Sequence, residues 1–116
     1  MNKEELKKRT KESADECVKF GLNYPNTRLG ENLQGQLIRA STSAAANYRA
    51  ACLAQSKKSF AAKLSVVIEE SDESNYRLEF IKDENLINNE QNNILIQEAK
   101  ELTAISIASR KTIQTN

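Results

Sequence analysis

Apolar residues recur along this chain in steps of three and four, the spacing that lines one side of an α-helix. The clearest run is Phe60, Leu64, Val67, Ser71, Ser74, Leu78 and Ile81. It predicts a long helix with a narrow, coiled-coil-like seam. Upstream, Leu33, Leu37, Ala40, Ala44, Asn47 with Tyr48, and Ala51 predict a second helix from about Gly30 to Ala54. Leu6, Ala14, Cys17, Val18 and Gly21 mark an earlier one. Ile94, Leu95, Leu102, Ile105, Ser109 and Ile113 mark a last one that frays after Lys111.

The breaks between these stripes carry their own signals. Asn2 can cap the first helix, with Glu5 closing a capping box three residues on. In "NYPNTRLGEN" Pro25 lacks an amide donor and restricts Tyr24 before it, and Tyr24 and Leu29 are expected to cover one end of the core. Ser56 is placed to cap the third helix, and Asn88, followed by Gln91, the fourth. Short connections between helices of similar length predict an all-α fold, an antiparallel up-down-up-down four-helix bundle about 35 Å long. The competing reading is a three-helix chain running straight through Gln55, where no glycine or proline forces a turn.

Composition agrees with helices. The 116 residues include only 3 glycines and 1 proline, enough chain for one hydrophobic core and little material for turns. No apolar run is long enough to span a membrane, and the charged start "MNKEELKKRT" has no hydrophobic region behind it, so a cytoplasmic protein is expected. Antiparallel pairing puts Cys17 opposite Gln36 and Cys52 level with the chain's start, roughly 24 Å away, so both are expected as free, small, buried hydrophobes.

Charge is unevenly spread. Residues 1 to 63 hold 12 Lys/Arg against 6 Asp/Glu, a net of +6, whereas residues 64 to 116 hold 5 against 10, a net of −5. Two oppositely charged halves can attract within one molecule or simply face water; the basic surface can instead meet nucleic acid or an acidic protein, or the halves can meet between subunits. The basic runs are Lys7, Lys8, Arg9 and Lys11, interleaved with acids, and Lys57, Lys58 and Lys63. They are the candidate nucleic-acid contacts, and without aromatic platforms such binding would follow the phosphate backbone.

The second helix raises a separate question. Ala40, Ala44 and Ala51 look inward, but Ala45, Ala46, Ala50 and Ala54 fall elsewhere. Small side chains let helices approach closely, so Ala45, Ala46 and Ala50 are candidates for a contact with another subunit. Arg39, Ser43 and Asn47 form a polar row four residues apart. If the second and third helices fold back near position 55, Arg39 lies level with Asp72, within reach of Glu70 or Glu73, and that pair would fix helix register.

The order Gln36-Leu37-x-Arg39-Ala40, Ser43, Ala46-Asn47, Ser56, Phe60, Lys63-Leu64, Glu70, Glu73, Tyr76 and Leu78-Glu79 resembles the ribosomal RNA intervening-sequence proteins over roughly residues 10 to 110. The resemblance implies a four-helix bundle that assembles into a homopentameric ring. It is also similar to the accessory protein of diversity-generating retroelements, a pentamer whose basic surface binds nucleic acid and a reverse transcriptase. Two departures stand out: Ala45 replaces a small, proline-like break, and Ala50 replaces an acid, so no role of that acid carries over.

Catalytic raw material is sparse. With no histidine, neither the Glu-x-x-His iron sites of ferritin-like bundles nor Ser-His and Cys-His nucleophilic sites can be built, and no Gly-rich phosphate loop is present. Glu69, Glu70 and Glu73 are the one dense carboxylate group, expected to pair with Arg39 or face water. No cofactor or metal is expected. Two function classes follow: an oligomeric scaffold for a protein partner, or a nucleic-acid-binding accessory protein with RNA or DNA as its ligand.

Overall fold

Each helix begins on a polar side chain that holds a free backbone amide. In the computed structural model, which describes residues 1–87 and 89–115, the helices are α1 (Lys3–Gly21), α2 (Arg28–Cys52), α3 (Lys57–Asp83) and α4 (Glu90–Thr115). Asn2 Oδ1 accepts from the Glu5 amide at 2.8 Å and its Nδ2 donates back to Glu5 Oε1 at 3.0 Å. Thr27 accepts from Gly30, and Ser56 from Ser59. Asn89 Oδ1 accepts from the Asn92 amide at 3.1 Å; the cap expected at Asn88 lies outside the described residues.

These caps move two boundaries. Thr27 starts α2 before Gly30, and α2 closes at Cys52 with the Leu53 and Ala54 amides bonded three residues back, so the chain turns before Ser56. The described residues therefore form four helices, and the three-helix alternative falls. At the other turn Asn85 adopts φ 55°, a left-handed conformation that asparagine tolerates better than most residues. Asn85 N donates to Lys82 O and Leu86 N to Ile81 O, the paired bonds that satisfy the last carbonyls of α3.

Consecutive helices pack side by side and α4 returns to α1, closing an antiparallel up-down-up-down four-helix bundle of 47 × 19 × 19 Å. It is longer than expected because α4 continues past Lys111 to Thr115. The core is split in two. One cluster joins Cys17, Phe20, Leu33, Leu37, Leu78, Ile81, Leu95 and Ile96; the other joins Leu6, Tyr48, Phe60, Leu64, Val67 and Leu102. Between them lies a waist of small and polar buried side chains: Thr10, Ala14, Ser41, Ala44, Ser71 and Ser74.

The α3 seam is buried at every expected position. The α4 stripe is rotated from the expected one. Ile94 is 52% exposed, Ile105, Ser109 and Ile113 are half-buried, and Asn92, Ile96, Ala99 and Ser106 take the interior instead. Asn92 is drawn inward because its Nδ2 donates to Ile87 O at 3.0 Å, pinning the α3–α4 connection. In α1, Thr10 and Phe20 are buried and Val18 is not; Phe20 meets Tyr24 edge-on at 5.6 Å. Leu29 stays largely exposed because α2 has already begun. Cys17 is buried and Cys52 half-buried, and both thiols are free.

Two glycines of α2 should respond oppositely to alanine. A Cβ on Gly30 would run into the backbone oxygen of Pro25, whereas one on Gly35 meets nothing. Gly30→Ala is expected to lower stability by about 2 kcal/mol, and Gly35→Ala to raise it by about 0.5–1 kcal/mol, both read from urea midpoints. Burial, slightly offset by hydrogen bonds to Ser41 and Ser13, pushes the Cys17 thiol up to about 12, and burial also raises the Tyr24 and Tyr48 hydroxyls. A raised folded value favours the protonated form, so this stability is whole below about pH 9 and is lost as pH rises toward 12. The urea midpoint should fall between those limits, and Cys17→Ala should reduce the fall.

Candidate functional site

α1 and α2 enclose a groove of roughly 480 Å³ whose floor is Ala45 and Ala46 and whose walls carry Lys7, Lys8, Lys11, Arg49 and Glu4. The groove exists because the alanine side chains end at Cβ and leave the α2 surface recessed between longer neighbours. Ala45 is half-buried and Ala46 exposed; Ala50 is half-buried and lies outside the groove. Two sets of residues singled out for different reasons, the first basic run and the alanines, thus meet at one place. Arg49 was not among them, although it lies one helical turn beyond Ala45 and Ala46, spacing that puts it on their face.

Among the described residues, the lysines of the groove are held by local pairs along α1. Lys7 approaches Glu4 at 3.1 Å, Lys8 approaches Glu12 at 3.8 Å and Lys11 approaches Asp15 at 3.0 Å. Pairs of this kind are weak and exchange readily for another anion. Arg9 does not share their face. Each residue turns about 100° around a helix, which carries Arg9 from the α2 side of α1 to the α4 side. There Arg9 Nε donates to Glu98 Oε2 at 2.8 Å and Nη2 donates to Glu101 Oε1 at 2.8 Å. These bonds, Glu98 first, raise the guanidinium above its ordinary value, and Arg9 followed by Gln97 lowers the Glu101 carboxyl. Arg9 is thus committed to α4, away from the other cations of its run.

α1 and α4 meet less closely than any other neighbouring pair. Their seam opens into a second groove, roughly 650 Å³, lined by Glu12, Glu16, Glu90, Glu98 and Glu101 with Ile94 and Leu95. A groove rich in cations and one rich in carboxylates therefore flank the same helix. The acidic groove was not legible beforehand because its carboxylates come from two helices far apart in sequence.

The polar row of α2 divides. Arg39 Nη1 donates to Glu70 Oε2 at 2.8 Å and Nη2 to Glu73, bridging α2 to α3. Glu73 first, then Glu70, raises the Arg39 guanidinium. Asn47 instead donates to Ser43, to its carbonyl at 2.9 Å and its hydroxyl at 3.1 Å, and both stay within α2. Glu70 and Glu73 are thus engaged by Arg39, and among the described residues no group of three His, Cys, Asp or Glu side chains could hold a metal ion. No helix among them is long and apolar enough to cross a membrane.

The second basic run lies elsewhere. Lys57 and Lys58 line a shallow groove of roughly 360 Å³ with Ala61, Ala62, Ser65 and Ile113, and Lys63 is exposed nearby on α3. α3 carries these cations before Glu69, Glu70, Asp72 and Glu73; α4 carries Glu90, Glu98 and Glu101 before Arg110 and Lys111. Because α3 and α4 are antiparallel, both runs of cations gather at one end of the bundle.

A family model described as 23S rRNA-intervening sequence protein matches residues 2–108. The chain belongs to that family. A crystal structure from Bacteroides thetaiotaomicron, described as a protein of unknown function from the S23 ribosomal protein family, is similar over 91% of this chain and 98% of its own, with 28% identity and a TM-score of 0.84. Among proteins with curated descriptions, none matches. For this intervening-sequence family member the candidate surface is the pair of grooves around α1, held in place by the Arg9 bridge. Arg9→Ala should lower stability by about 1 kcal/mol and speed amide exchange along α1 ahead of α3, whereas Lys8→Ala should stay within about 0.5 kcal/mol of the parent.

Proposed function

We propose that this protein is a non-catalytic assembly module whose copies join head to tail, the basic groove of one receiving the acidic groove of the next. The observation that carries this reading is the placement of two grooves of opposite charge on either side of α1. Their chemistry is complementary in shape as well. Ala45 and Ala46 leave a recessed floor, and Ile94, 52% exposed among carboxylates, supplies an apolar knob. A contact between two different patches generates a ring when the rotation closes. The grooves lie on adjacent sides of the bundle, so successive contacts turn instead of running straight, and the family resemblance favours five copies. Such a ring would act as a scaffold that presents repeated surfaces to a protein partner.

The assembly should appear by light scattering at tens of micromolar as a discrete oligomer. Replacing Lys8, Lys11 and Arg49 together by Glu is expected to yield a folded monomer, and Ala45→Glu with Ala46→Glu should do the same by filling the floor. A monomeric parent, or oligomers indifferent to both sets of changes, would remove the reading.

A second reading rests on a different observation, the gathering of cations from α3 and α4 at one end. There Lys57, Lys58, Lys63, Arg110 and Lys111 offer a surface for phosphates, repeated in a ring to raise affinity by multivalency. Binding to labelled RNA or duplex DNA should then weaken steeply between about 50 and 200 mM salt. Lys58→Glu with Lys63→Glu should abolish it while leaving the oligomer intact; no binding at low salt by an intact oligomer would leave the scaffold alone.

A further inference from the structure

We propose that the waist of the bundle is an internal hydration site that binds one ordered water molecule, held by the Ser71 hydroxyl. Two independent features point to it. The first is space: side chains from all four helices enclose about 10 Å³ accessible to the centre of a water, the lower bound for a single molecule. The second is an unmet hydrogen bond. Ser71 lines this space, is 2% exposed, and its Oγ has no hydrogen-bond partner among the described residues. A hydroxyl shut away from bulk water without a partner is unfavourable, and small polar cavities in proteins are commonly hydrated for this reason.

The surrounding groups have the inventory that a water requires. Thr10 Oγ1 donates to Lys7 O at 3.0 Å, Ser74 Oγ donates to Glu70 O at 2.9 Å, and Ser41 Oγ donates to Ile38 O at 3.4 Å. Each hydroxyl has spent its proton and keeps lone pairs. Ser71 has a proton to give. A water accepting from Ser71 and donating to two of the other three oxygens gives the Ser71 hydroxyl its partner, and the Ser13 side chain also lines the space. The Cys17 thiol, kept protonated by burial, forms a soft wall to the same space. No carboxylate lines it, which disfavours a cation, and the volume is too small for an organic ligand.

Oxygen-17 relaxation dispersion counts long-lived internal waters in solution, and a high-resolution crystal structure places them. The parent protein should show electron density within hydrogen-bond distance of Ser71 Oγ at the waist. Ser71→Ala, which removes the donor without filling the space, should lower the count of long-lived waters by one. Ser71→Val, which fills it, should do the same, so the two variants guard against a change in folding of either, checked by circular dichroism. Waist density that is absent, with Ser71 Oγ turned onto a carbonyl of its own helix, overturns the proposal. An unchanged count in both folded variants overturns it equally.

Discussion

Everything in this bundle is arranged around the height at which four helices come together on small side chains. At the waist Thr10, Ala14, Ser41, Ala44, Ser71 and Ser74 fill the interior, and none reaches far. Helices can meet there only by approaching closely, and close approach fixes their registers above and below. It also leaves that layer with the least apolar surface to bury, hence the least hydrophobic stabilisation. The outside answers this deficit. Arg39, beside Ala40 and Ser41, spans to Glu70 and Glu73 on either side of Ser71; Arg9, beside Thr10, spans to Glu98 and Glu101 around Ala99. Two charged belts thus cross the molecule where its core is weakest, one over the α2–α3 seam and one over α1–α4.

This division explains what could be read in the sequence. The α3 stripe was legible in full, serines included, because the helix keeps one strict repeat from Phe60 to Ile81. α4 was not. Hydropathy favours Ile94 over Asn92 and Ser106, yet the bond from Asn92 to the Ile87 carbonyl draws Asn92 inside, and Ser106 is fully buried as well. Antiparallel arithmetic places Arg39 level with Asp72, and the arginine meets the acids one residue after and two residues before that position, Glu73 and Glu70. Arg9 escaped the same arithmetic because its partners lie on the chain's last helix, and nothing local marks them.

The grooves follow the same logic. Lys7, Lys8, Lys11, Ala45 and Ala46 carry separate signals in one dimension, charge for the first three and size for the others. Only the pairing of α1 with α2 makes them a single surface. The acidic groove needs α4 to return to α1, a contact between residues about as distant in sequence as the chain permits. Features built within one helix are visible in the order of residues; features built between its ends appear only after folding.

The gathering of cations at one end of a 47 Å rod has a consequence beyond any single contact. Opposite charges concentrated toward opposite ends give the molecule a lengthwise electric moment. In the field of a strongly charged body such a rod experiences torque before it touches anything, within the reach that salt allows. It swings like a compass needle, and its encounters are selected by angle of approach before shape complementarity has any say.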